Sequence, residues 1–149
     1  MVLFDPIEEH PHAKAKRRII VAICVLVLGA GVLWWLLRYH TERVTVRQFM
    51  DAVAVGDMQQ AYRIWKPAQS YSFKDFLDDW GPNGYYGPVK SFRVKDSERP
   101  KQGSAIAVKI QLSPYQPFPD DDDRAKQNKT KEVILWVEVK DQSISFPPF

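Results

Sequence analysis

The chain has 149 residues and a mass of 17.3 kDa, room for one modest domain with appendages, so a multidomain enzyme is excluded. Apolar, charged and aromatic fractions of 45%, 26% and 13% fall in the globular range and exclude wholesale disorder. The net charge of +3 is mild, and residues 38–149 carry 17 basic against 15 acidic side chains, so no dense basic face for nucleic acid is expected.

Residues 1–13 place Asp5, Glu8, Glu9, His10 and His12 around two prolines without helical or strand periodicity, and read as a short tail that is mobile unless a partner holds it. Two histidines at that spacing read as solvated, not as a metal site. Lys14, Lys16, Arg17 and Arg18 follow. Ile19 to Leu37 then run 19 residues without a charge, a length of about 28 Å as a helix, close to the hydrocarbon thickness of a bilayer. Twelve of these residues are Leu, Ile or Val, which favour insertion by roughly 4 to 7 kcal/mol in sum.

A buried soluble helix is rarely apolar on every side for so long. A cleaved signal peptide is disfavoured as well, because the run exceeds the usual length of about 7 to 15 residues and Trp34-Trp35-Leu36-Leu37 stands where a small-residue cleavage site would be. The stretch therefore reads as an uncleaved anchor. Basic residues are denser before the span than after it, where Arg38, Arg43 and Arg47 are spread out, so the positive-inside rule predicts a cytoplasmic N-terminus in the inner (plasma) membrane. Trp34, Trp35 and Tyr39 are the expected interfacial anchors on the far side. Residues 1–18 are thus assigned to a cytoplasmic tail, 19–38 to the span and 39–149 to an extracytoplasmic domain. The only cysteine, Cys24, lies in the span, so no disulfide can staple that domain.

Beyond the span, Val46, Phe49, Met50 and Val53 repeat at helical spacing up to Gly56, a C-terminal stop. Asp57 opens a second helix with Gln60 at the capping-box position, and Met58, Ala61, Tyr62 and Trp65 form its stripe before Pro67. A third starts at Ser72, with Tyr71 and Phe76 spaced as a hydrophobic staple and Phe73, Phe76, Leu77 and Trp80 facing inward until Gly81-Pro82. The period then changes to two: 89–95, 106–112 and 133–139 predict strands, and 143–146 a last short one after a turn at Asp141-Gln142. Helices followed by strands joined through loops and turns define an α+β domain, with helices on one face of an antiparallel sheet. Ser113 to Lys131, with prolines at 114, 117 and 119 and four aspartates at 120–123, is too polar for a core strand; it either contacts something or is floppy.

The stretch FMDAVAVGDMQQAYRIW at 49–65 resembles the opening helix pair of the nuclear-transport-factor-2-like superfamily, in particular its small membrane-anchored bacterial members, through Phe49, Ala52, Gly56, Asp57, Ala61 and Tyr62. SFKDFLDDW at 72–80 and YYGPVKSFRV at 85–94 look like later parts of that cone-shaped fold. The resemblance spans roughly Val44 to Phe146 and implies a curved sheet with helices, sometimes around a pocket that holds an acidic base or an Asp/His pair. Here His10, His12 and His40 all precede the matching region, so no such dyad can form. A looser likeness, in layout alone, is to single-span assembly factors of respiratory complexes.

Candidate chemistry is thin. Asp75 is explained by capping, and Asp78 and Asp79 fall away from the apolar stripe, so no catalytic carboxylate is expected. The aspartates at 120–123 lack the glycine turn and distal glutamate of a calcium loop and read as a solvated run neutralised by the following lysines and arginine. Asn128-Lys129-Thr130 is a glycosylation sequon that matters only in a secretory setting. WGPNGYYGP at 80–88 is expected to form an ordered turn, whereas Tyr115, Phe118, Phe146 and Phe149 are expected to contact a partner. No cofactor, metal or enzymatic activity is expected. The partners implied are the lipid bilayer and other subunits of a membrane complex, with a tethered ligand-binding or enzymatic pocket as the alternative.

Overall fold

The computed structural model describes residues 11–148, and the chain divides between Arg38 and Tyr39 into two compact units. His10, the side chain of His12, and Phe149 lie outside the described residues. The first unit holds helix α1 (Pro11–Leu37). It starts earlier than the sequence predicts: the pattern places a short mobile tail at residues 1–13 and the apolar span from Ile19. Proline is well suited to a first helical turn, and the alanines, lysines and arginines that follow are strong helix formers, so the basic cluster continues the helix of the apolar stretch. This helix is long and apolar enough to cross a membrane.

The second unit is α+β. Its helices are α2 (His40–Val55), α3 (Met58–Trp65) and α4 (Phe73–Trp80). Local chemistry sets their ends. Gly56 adopts φ 84°, a left-handed conformation open to glycine at little cost, and its N–H caps the carbonyls of Ala52 and Val53. The Asp57 carboxylate accepts from Gln60 N–H at 3.0 Å, and Ser72 and Asp75 form a reciprocal capping box at the start of α4. Tyr71 and Phe76, their rings 6.4 Å apart, complete the staple.

Strands β1 (Ser91–Glu98), β2 (Ala105–Ser113), β3 (Lys131–Glu138) and β4 (Ile144–Ser145) make one antiparallel sheet in chain order, with a bulge between Val94 and Asp96. Ile106, Val108, Ile110 and Leu112 of β2 and Val133, Leu135 and Val137 of β3 point to one face and are buried. Helix α2 lies against β1, β2 and β3, and α3 against β4. Between helices and sheet, Phe49 is fully buried with ring centroids 5.2 Å from Trp65, 6.2 Å from Phe76 and 5.0 Å from Trp80.

One expectation changes. The segment after β2 is not floppy but packs on its own domain. It holds the short helix α5 (Arg124–Gln127) and folds back on the second face of the sheet, where Gln111 Nε2 donates to Gln127 Oε1 at 3.1 Å and to Thr130 Oγ1 at 2.9 Å, and Pro119 is buried. Trp136 sits half-buried on that second face beside Gly103, because alternation sends it opposite to Leu135 and Val137.

Candidate functional site

A groove of about 560 Å³ opens on the surface of the α+β unit where the end of α4, the following turn, β3 and the segment after β4 meet. Asp79 and Glu132 are its carboxylates, Tyr85, Tyr86 and Phe146 its rings, and Pro147 and Pro148 its outer edge. Sequence builds it from a strict turn. Gly84 N–H donates to Gly81 O and Gly87 N–H to Gly84 O, while Tyr85 and Tyr86 N–H donate to the last carbonyls of α4, those of Asp78 and Asp79. The tyrosines are thereby fixed. Tyr86 stacks on Trp80 at 4.8 Å and on Phe146 at 5.7 Å, so the floor of the groove is continuous with the core.

Asp79 is not the solvated carboxylate that its place in the α4 pattern suggested. Tyr71 Oη donates to Asp79 Oδ2 at 2.5 Å, a short bond of the kind that ionised acceptors make. Burial first, and then the hydrogen bond to Asp79, push the Tyr71 phenol far above the ordinary tyrosine value; burial also raises Tyr86, helped by Tyr85 and Asp79. Both phenols are thereby favoured in their neutral form, and the Tyr71 proton is committed to Asp79. Glu132 pairs with Lys109 at 3.5 Å, and Lys131 Nζ donates to Tyr85 O at 2.6 Å while standing over that ring at 5.6 Å.

A testable consequence concerns alkaline pH. The folded phenol of Tyr71 holds its proton beyond the ordinary value of 10.0, so its contribution to stability is complete below about pH 10 and is lost as pH rises above it. Thermal melts of wild type and Tyr71→Phe should differ by a constant gap up to about pH 10 and converge above it. Parallel curves through pH 11 would show that this phenol is not coupled to folding.

The other residues singled out in the sequence are scattered. Phe146 enters the groove wall and packs 5.1 Å from Trp65. Phe118 lies beneath the Arg93 guanidinium at 4.6 Å, and Arg93 also pairs with Asp121 at 3.0 Å. The Tyr115 carbonyl accepts from Ser91 Oγ at 2.6 Å, and its ring lines a smaller pocket of about 240 Å³ with Tyr86, Ser113, Lys129 and Lys131. Asp123 caps α5 and pairs with Lys126 at 2.9 Å, so the aspartate run is spent on local structure. Among the described residues no cluster of histidine, cysteine or carboxylate side chains is arranged to hold a metal ion.

In the first unit, Lys14, Lys16, Arg17 and Arg18 are exposed on the opening turns of α1, Trp34 and Trp35 are 69% and 67% exposed, and Arg38 lies 5.7 Å from the Trp34 ring centre. Tyr39, expected at a membrane interface, adopts φ 62° at the start of α2 and packs against the core of the second unit. Sequence reasoning missed the Tyr71–Asp79 bond and the role of Tyr85. The one available signal was the hydrophobic staple, which brings Tyr71 over the first turn of α4.

No family model, no curated protein and no solved structure matches this chain.

Proposed function

We propose that this protein is a single-pass, membrane-anchored, non-catalytic accessory or assembly subunit of a larger membrane complex, with its N-terminus in the cytoplasm and an extracytoplasmic domain of the nuclear-transport-factor-2-like cone type. One observation carries the reading. Fourteen large apolar side chains between Ile19 and Leu37 are each 54% to 72% exposed among the described residues, so the apolar surface of α1 is left open. Such a surface is stable against lipid or a neighbouring helix. The filled aromatic centre of the α+β unit adds support: with Trp65, Phe76, Trp80 and Leu112 buried there, recognition falls to the surface groove at Tyr85, Tyr86 and Phe146. The likeness of 49–65 to the opening helices of that superfamily favours the same fold.

The test uses the full chain in its native membrane with photo-crosslinking residues at Leu28 in the helix and at Tyr85 in the groove. Discrete adducts with a shared partner, together with comigration in native gels after gentle detergent extraction, are the expected outcome. Recovery of the chain alone in every gentle detergent, without adducts from either site, would reject the subunit reading. The Tyr71–Asp79 pair at the groove favours a second reading, a tethered pocket for a small ligand. That reading requires Asp79→Asn to abolish ligand binding while leaving the adducts unchanged.

A further inference from the structure

Strand β3 is paired along its whole length on the β2 side but only in part on the other. Glu138 N–H donates to Ser143 O at 2.9 Å and its carbonyl accepts from Gln142 N–H at 2.8 Å, so the even-numbered residues of β3 turn their N–H and C=O groups toward β4 and the odd-numbered ones toward β2. The ladder with β4 reaches Trp136 and Ser145 and stops. In that register the next partner for Ile134 is Pro147, which has no N–H to give, and Pro148 follows. Among the described residues no hydrogen bond reaches the outward N–H and C=O groups of Ile134 or Glu132. A short sheet edge is thus left open, and the Ile134 side chain on it is 39% exposed. The groove runs along this edge, with Glu132, Val133 and Ile134 on one side and Phe146, Pro147 and Pro148 on the other.

We infer that this edge takes up an extended segment of a partner subunit as an added strand, antiparallel to β3 as β4 is, whose successive residues are apolar, apolar and basic. The inference rests on the reading of the groove as a partner surface and names what enters it. The open N–H and C=O groups of Ile134 and Glu132 bond the incoming backbone, and alternation fixes its side chains. The residue opposite Ile134 meets an exposed isoleucine and is apolar. The one opposite Glu132 is lysine or arginine, since opposite charges across a strand pair attract and like charges repel. Glu132 meets Lys109 through Oε1 at 3.5 Å, an exposed pair that leaves Oε2 for the incoming cation. The residue between the two turns to the helix side, onto the floor of Tyr86 and Phe146. A second copy of the chain fits less well, because two-fold pairing of the open edge sets Glu132 against Glu132 or against Ile134.

The experiment titrates the full chain in detergent with the end-capped, fluorescent pentapeptide TVYRT, whose valine, tyrosine and arginine take the three positions, and reads amide hydrogen exchange by nuclear magnetic resonance. Bound peptide should slow exchange at Glu132 and Ile134 and leave Phe92, on the outer edge of β1, unchanged. N-methylation of the valine and arginine amides, which face β3, should weaken binding at least about tenfold, whereas N-methylation of the tyrosine amide, which faces away, should change it less than about twofold. Exchanging the arginine for glutamate should also cost about tenfold. No binding up to about 1 mM, equal loss from either methylation, indifference to the charge exchange, or protection of Phe92 in place of Ile134 would each overturn the inference, as would protection of Ile134 by dimerisation without peptide. The crosslinks separate this from the subunit reading: adducts from Leu28 and Tyr85 with no peptide bound remove the added strand alone, whereas bound peptide with no adducts removes the subunit reading and leaves the edge.

Discussion

Replacing Phe49 by alanine should lower the unfolding free energy of the α+β unit by about 3 to 5 kcal/mol, the range for a fully buried aromatic side chain. Phe49 has no solvent exposure and stands edge-on to Phe76 and Trp80 and tilted to Trp65, so its removal strips one ring from three aromatic contacts at once. Those neighbours cannot collapse into the space easily. Trp80 is held by its stack with Tyr86, and Phe76 by its neighbours Tyr62 and Phe73 on α3 and α4. Single domains are stable by about 5 to 15 kcal/mol, and here Cys24, the only cysteine, lies in α1, so no disulfide offsets the loss. Urea titration of the full chain in detergent, followed through near-ultraviolet circular dichroism, measures the effect. A loss below about 1 kcal/mol would mean that the aromatic cluster is not the centre of the fold.

The contacts behind that number were legible because helix signals are local. Gly56, Asp57 and Ser72 end or begin helices through atoms within four residues of themselves, and the staple between Tyr71 and Phe76 spans five positions. The apolar stretch of α1 needed only composition. Strands β2 and β3 were readable from their alternation, but Ile134 and Trp136 make both faces of β3 apolar, and pattern alone did not decide which face Trp136 takes. Partners far along the chain were harder still. Arg93 meets Phe118 and Asp121, and Gln111 meets Gln127 and Thr130, so the course of the 114–130 segment depends on the finished sheet and has no period of its own. The same limit hid the groove: Asp79, Tyr86, Glu132 and Phe146 come from three separated stretches, and a helical wheel shows Asp79 only as a polar residue away from the stripe. The start of α1 at Pro11 was not legible from periodicity, because alanine, lysine and arginine carry helix propensity without any apolar repeat.

Gly87→Ala tests whether the turn that carries the two tyrosines is as tightly determined as its hydrogen bonds imply. A Cβ at position 87 would stand 2.0 Å from Gly81 O and 3.1 Å from Pro82 O, both backbone atoms that cannot swing aside as a side chain can. Relief requires moving the turn, which four backbone bonds anchor to itself and to the end of α4. The expected cost is about 1 to 3 kcal/mol, as for other overpacked sites, and it should come with a changed aromatic circular dichroism signal because Tyr86 leaves its place between Trp80 and Phe146. Gly29→Ala is the matched control: a Cβ there meets nothing within 4 Å, and alanine in a helix interior is favoured over glycine by about 1 kcal/mol. The same pair of variants separates the surfaces assigned to partners. Gly87→Ala should remove crosslinks from Tyr85 while leaving those from Leu28, since it deforms the groove and not α1, whereas Gly29→Ala should leave the groove crosslinks intact. A Gly87→Ala protein of wild-type stability with undiminished adducts at Tyr85 would mean that the turn yields freely, and the groove could not then hold a fixed shape for a partner.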